Sequence, residues 1–62
     1  MRIFLDIKDY DKVYEIIKEC GGDNEMFATN DCLELGDDPE YKELNDSILS
    51  KLHEAKIEYK TE

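Results

Sequence analysis

The chain has 62 residues, and its 17 Asp and Glu against 8 Lys and Arg give a formal net charge of −9 at pH 7. This length supports one domain, residues 1–62, which buries only about 60% of the surface that the unfolded chain exposes. The 40% apolar content argues against intrinsic disorder, and the excess of carboxylates argues against direct binding of nucleic acid, because phosphate contacts need Lys and Arg.

The first predicted elements are a strand and a helix. Apolar residues alternate along residues 2–8, which predicts a half-buried strand. Asp9 stands at an N-cap position, and Gly21–Gly22 offers a left-handed stop, so a helix is predicted between them. The apolar residues at helical spacing in this segment are Tyr10, Val13, Ile16, Ile17 and Cys20.

A hairpin is predicted next. Two short apolar runs flank Asn30–Asp31, residue types that tolerate the positive φ values of a two-residue turn. A loop of two residues aligns Ala28 with Leu33 across the hairpin. Phe27 is then expected on the opposite face of the sheet.

The second helix is predicted to begin at Asp37-Asp38-Pro39-Glu40. Pro suits the first helical turn, and Asp37 with Glu40 has capping-box spacing. The helix is expected to end near Lys56, before a last strand that alternates around Ile57 and Tyr59. The predicted buried stripe of this helix consists of Tyr41, Leu44, Ile48, Leu52 and Ala55.

The element order predicts an α+β fold of the ferredoxin-like type, βαββαβ. Right-handed crossovers then place two helices on one face of a four-stranded antiparallel sheet. The open face is expected to carry Phe4, Phe27 and Glu34, and we interpret it as a contact surface. The residues expected to face the helices are Ile3, Leu5, Ile7, Met26, Ala28, Leu33, Leu35, Ile57 and Tyr59. The other residues expected on the open face are Asp6, Thr29, Cys32 and Glu58.

Catalytic and metal-binding motifs are weak in this sequence. His53 is the one histidine, and no Cys or Ser lies beside it in a recognisable pattern. The acids between 23 and 34 approach the spacing of a calcium loop, but Phe27 occupies a ligand position and Ala28 the position that needs Gly. Cys20 and Cys32 lack the paired spacing of a zinc site. We therefore expect no enzyme activity, no metal and no cofactor.

The location of the protein is predicted from equally simple features. No apolar run reaches the length of a membrane span, and charge enters the chain at Arg2 and Asp6, too early for a signal peptide. A cytoplasmic protein without a membrane partner is expected, and Cys20 and Cys32 are expected to be free thiols.

The leading functional hypothesis is an inhibitor that binds a protein. Carboxylates on the outer faces of the helices can compete for a basic surface that normally accepts nucleic acid, as a DNA mimic does. Phage-encoded anti-CRISPR and anti-restriction proteins include small acidic inhibitors, a likeness of charge and size. Interspersed lysines also fit a simpler interpretation, a solvated helix face. The proposed partner-binding carboxylates are Asp11, Glu15, Glu19, Glu40, Glu43, Asp46 and Glu54.

Two other functions stay open. One is a small adaptor or regulatory subunit, possible as a homodimer, that uses Phe4 and Phe27 as anchors within an acidic rim. The other is a regulatory domain that binds a small ligand. A salt-sensitive complex with a basic protein would favour the inhibitor, and a salt-tolerant complex lost on Phe4→Ala would favour the adaptor.

Overall fold

A computed structural model describes all 62 residues. The elements are β1 (Arg2–Leu5), α1 (Tyr10–Cys20), β2 (Phe27–Thr29), β3 (Cys32–Glu34), α2 (Lys42–Glu54) and β4 (Tyr59–Thr61), with short 3₁₀ turns at Ile7–Asp9, Asn24–Met26 and Pro39–Tyr41. The strands form one antiparallel sheet in the order β2-β3-β1-β4. The predicted βαββαβ order and ferredoxin-like α+β fold are confirmed. Neither helix has the length and apolar character that crossing a membrane would require.

The core lies between both helices and one face of the sheet. Ile3 of β1 stands opposite Leu33 of β3, and both side chains are fully buried. The apolar residues at helical spacing form one face of α1 and one face of α2, and both faces pack against this pair. The nine core residues are Ile3, Leu5, Val13, Ile17, Leu33, Leu35, Ile48, Leu52 and Ile57.

Strand β1 is shorter than the alternation predicts. The Asp6 side chain accepts a hydrogen bond from the Lys8 backbone N–H (3.1 Å), which turns the chain into a 3₁₀ segment. Ile7 lies in that turn and is 62% exposed. Its predicted place in the core is wrong, because a local side-chain cap competes with the strand there.

A bulge in β2 reverses the predicted register of the hairpin. The loop has two residues, since Thr29 stands opposite Cys32, but Phe27 rather than Ala28 stands opposite Leu33. Ala28 is therefore the extra residue and is exposed. One inserted residue moves the preceding side chain to the other face of the sheet. Phe27 consequently faces α1, and the prediction that places it on the open face is wrong.

The hairpin turn also differs from its predicted conformation. Neither Asn30 nor Asp31 has positive φ. The Thr29 hydroxyl donates to the Asp31 carboxylate (2.6 Å), and the Asp31 carbonyl accepts from the Leu5 N–H (2.8 Å). These bonds fix the turn to the end of β1 without the left-handed geometry expected of it.

The start of α2 is built without the predicted capping box. Asp38 occupies the cap position but makes no side-chain cap hydrogen bond, and a 3₁₀ turn at Pro39–Tyr41 leads into the helix. Asp37 instead contacts the amino group of Met1 (3.0 Å). Tyr41 (41% exposed) and Ala55 lie outside the core, so the predicted stripe is too long at both ends.

Both helices end in the same hydrogen-bond pattern. After α1, the Gly22 N–H donates to the carbonyl of Ile17 (2.9 Å), and after α2 the Ile57 N–H donates to the carbonyl of Leu52 (3.0 Å). The left-handed residue of this Schellman arrangement is Gly21 (φ 95°) in the first case, as predicted. In the second case it is a lysine, Lys56 (φ 58°).

Candidate functional site

The outer surface of the two helices carries most of the carboxylates predicted to bind a partner. Helices α1 and α2 pack side by side, and an ion pair between Lys51 Nζ and Glu19 Oε2 (3.7 Å) joins their surfaces. All of these carboxylates project from the sides of the helices that do not contact the sheet. The exposed acids of this helix layer are Asp11, Glu15, Glu19, Glu43, Asp46 and Glu54.

Lysines neutralise only part of the helix layer. Lys42 Nζ lies 3.1 Å from Asp46 Oδ2, one turn along α2. Glu19 is paired with Lys51 as described. With Lys12 and Lys18 of α1 included, the two helices carry six carboxylates and four lysines, a net charge of −2. No cationic group lies within 4 Å of the other four carboxylates. These four are Asp11, Glu15, Glu43 and Glu54.

The open face of the sheet carries one exposed phenylalanine, not the two predicted. Phe4 is 42% exposed and stands between Cys32 of β3 and Lys60 of β4. Phe27 packs against the rings of Tyr10 (4.8 Å between centroids) and Tyr14 (6.4 Å) on the helix side. The two phenylalanines cannot contact the same flat partner surface.

Glu34 lies on the open face, as predicted, but is already paired. Arg2 Nε donates to Glu34 Oε1 at 2.9 Å, and Arg2 Nη1 lies 3.8 Å from Glu62 Oε2. The hydrogen bond with Glu34 and the two negative charges raise the pKa of Arg2. One cation therefore offsets part of the charge of two carboxylates here, and exposed pairs of this kind contribute little to binding.

A groove at one end of the molecule was not predicted from the sequence. It has a volume of about 700 Å³ and lies where the loop after α1 meets the loop before α2. Its apolar lining consists of Met1, Met26, Leu35, Tyr41 and Leu44. The groove arises from segments distant in sequence, so no local pattern reveals it. The carboxylates along the groove are Asp23, Glu25, Glu34 and Asp37.

Two glycines give the groove its shape. A Cβ atom at Gly36 would lie 2.6 Å from the Tyr41 ring, and one at Gly22 would lie 2.7 Å from Met26 Sδ. Such distances are well below van der Waals contact. The absence of side chains at these two positions therefore lets Tyr41 and Met26 pack against the backbone.

The same end concentrates the negative charge of the protein. We define the acidic end as residues 1–2, 21–26, 34–41 and 61–62. It contains seven carboxylates, and Arg2 is its one basic side chain. Most of the net charge of −9 therefore lies at this end. Its carboxylates are Asp23, Glu25, Glu34, Asp37, Asp38, Glu40 and Glu62.

Side chains that could support other chemistry are dispersed. No three His, Cys, Asp or Glu side chains are arranged to hold a metal ion. His53 Nε2 lies 2.9 Å from the Tyr59 hydroxyl, and both cysteines are free thiols.

Comparison of the chain with protein-family models, with curated proteins and with solved structures finds no match.

Proposed function

We propose that this protein is a small acidic inhibitor that covers a basic surface of a partner protein and so keeps nucleic acid from it, as a DNA mimic or anti-defence protein does. The observation that carries the proposal is the helix layer. Six exposed carboxylates lie on two neighbouring helices, and four of them have no cationic partner. Direct contact with nucleic acid is disfavoured by the same charge.

The physical basis of the proposal is long-range attraction. Carboxylates four residues apart on a helix are separated by a rise of about 6 Å, so Asp11, Glu15 and Glu19 form a row of charge along α1. Each exposed ion pair contributes little to affinity, but the net charge of −9 on the whole protein raises the association rate with a basic channel. The complex should therefore weaken steeply as salt increases.

The first experiment is a pull-down from host lysate at low and physiological salt, with the bound proteins identified by mass spectrometry. We expect a nucleic-acid-handling protein that DNA displaces in competition. A captured partner that binds equally in the presence of excess DNA would contradict the proposal.

Charge reversal locates the binding surface once a partner is known. Glu43→Lys with Glu54→Lys should weaken the complex by about tenfold or more, since two attractive contacts become repulsive. The matched control is Glu58→Lys with Glu62→Lys, which makes the same charge change outside the helix layer. Equal losses in both variants would show that only net charge matters.

A second candidate function is supported by Phe4. This side chain is half exposed and borders a groove of about 770 Å³ with Ile57 and Tyr59. An adaptor or homodimer that uses the open face would bury Phe4. The distinguishing result is a salt-tolerant complex that Phe4→Ala abolishes and that Glu43→Lys leaves unchanged.

A further inference from the structure

The groove at the acidic end combines an apolar lining with unpaired negative charge. We propose that it binds a segment of a partner protein in which Arg or Lys lies next to an apolar residue. This inference rests on the proposed function in one respect, that the partner is basic. It adds a defined site and a defined chemistry for the contact, separate from the helix layer.

The lining of the groove leaves apolar surface in water. The large apolar side chains that remain exposed in this protein are Met1, Phe4, Ile7 and Tyr41. Two of them, Met1 (40%) and Tyr41 (41%), line this one groove. Met26 and Leu44, which are partly buried, continue the apolar surface inward. An apolar side chain of a partner would gain by covering this surface.

The negative charge of the groove favours a partner segment in which a basic residue lies next to that apolar side chain. Glu34 and Asp37 are already paired, with Arg2 and with the Met1 amino group. Asp23 and Glu25 have no cation within 4 Å. An Arg or Lys head group placed beside these two would find the counter-charge that it needs.

The rest of a basic side chain also fits this lining. The aliphatic stem of Arg or Lys packs against apolar surface while its head group stays in water, and a guanidinium stacks on an aromatic ring. Tyr41 presents a half-exposed ring at the groove for this purpose. A nucleic-acid segment has the wrong charge, which leaves a basic peptide segment as the occupant.

Local bonds hold the groove in shape before a partner arrives. Asp23 Oδ1 accepts a hydrogen bond from the Glu25 backbone N–H (2.9 Å), which fixes the turn that carries both free carboxylates. On the other side, Gly36 allows the Tyr41 ring to lie against the backbone. A site that needs no rearrangement avoids part of the entropic cost of binding.

The test is a titration of the ¹⁵N-labelled full chain with a blocked peptide of alternating Leu and Arg, followed by NMR. We expect the largest amide shifts at Asp23, Glu25, Gly36 and Leu44. A control peptide with citrulline in place of Arg keeps the shape and removes the charge, and its binding should be at least tenfold weaker. Equal binding of the citrulline peptide would overturn the proposal.

Matched variants separate the groove from the general negative charge. Asp23→Asn with Glu25→Gln should weaken peptide binding by about tenfold, and Asn retains the turn-forming acceptor. Asp31→Asn with Glu58→Gln removes the same charge outside both the groove and the helix layer and should change the affinity by less than about twofold. Equal losses in the two variants, or shifts spread over the helix layer in the unmodified chain, would contradict the groove as the site.

The outcomes also distinguish this inference from the proposed function. Groove binding of the Leu-Arg peptide without any DNA-competitive partner would support the site and contradict the inhibitor. A DNA-competitive partner that binds Asp23→Asn with Glu25→Gln as tightly as the unmodified chain would support the inhibitor and overturn the groove.

Discussion

The acidic end and the opposite end of the molecule terminate one helix each, by the same hydrogen bonds but with different residues. The left-handed residue that follows α1 is Gly21, near the groove. The one that follows α2 is Lys56, near the turn that follows β1. All three glycines of the chain, Gly21, Gly22 and Gly36, line the groove, and the opposite end has none. Helix termination alone therefore does not require glycine here. Two of the three glycines, Gly22 and Gly36, lie where side chains pack closely on the backbone.

The largest effect is expected where that packing is closest. Gly36→Ala places a Cβ atom 2.6 Å from the Tyr41 ring and should lower the free energy of unfolding by about 1–3 kcal/mol. Urea unfolding followed by circular dichroism measures the change. In a chain that already carries Tyr41→Ala, the same Gly36→Ala substitution should cost much less. A cost that persists without the ring would show that close packing is not the reason for Gly36.

A smaller effect is expected at Gly21, where only the backbone conformation matters. A Cβ atom at this position meets no atom within 4 Å, but the φ of 95° is strained for any L side chain. Gly21→Ala should therefore cost about 1–2 kcal/mol in the same unfolding measurement. An unchanged free energy of unfolding would mean that the helix end adapts to the new residue.

At Lys56, a substitution is expected to increase the stability of the protein. Its φ of 58° is left-handed, so Lys56→Gly should raise the free energy of unfolding by about 0.5–1 kcal/mol. This gain would sharpen the comparison of the two ends, since the same motif would respond in opposite directions. A loss of stability would instead assign a contribution to the lysine side chain.

The smallest effect is expected at Arg2. Its ion pair with Glu34 is exposed, so Arg2→Met should lower the melting temperature only slightly, and less so in 1 M salt. The pKa of Arg2 is raised in the folded protein, so its contribution stays constant from neutral to mildly alkaline pH and is lost as Arg2 deprotonates under strongly alkaline conditions. A difference between the two proteins that varies when pH rises from 7 to 9 would contradict this assignment.

The sequence predicted the fold because its signals were local. Alternation around Ile3 and Leu5, helical spacing through Val13 and Ile17, and the stop at Gly21 each lie within a few neighbouring residues. The element order then limits the topology, since crossovers are right-handed and short. The exposure of the helical carboxylates follows from the same amphipathic pattern.

The errors arose where distant segments decide the structure. A small apolar residue such as Ala28 does not indicate a bulge by its type. The rings that pack against Phe27 lie on α1, more than ten residues earlier in the chain. The groove likewise depends on the meeting of two loops. A repeated apolar period describes one element at a time, so it could predict neither the partner of Phe27 nor the site at the acidic end.

The difference in burial between the two free thiols gives the protein a built-in reporter of its own opening. Cys32 lies in an inner strand and is 8% exposed, whereas Cys20 lies in the last turn of α1 and is partly exposed. An alkylating reagent reaches Cys20 through fraying of a helix end, but reaches Cys32 only when the side chains that cover it on the open face of the sheet move aside. The ratio of the two labelling rates thus compares the opening of a helix end with the opening of the sheet face.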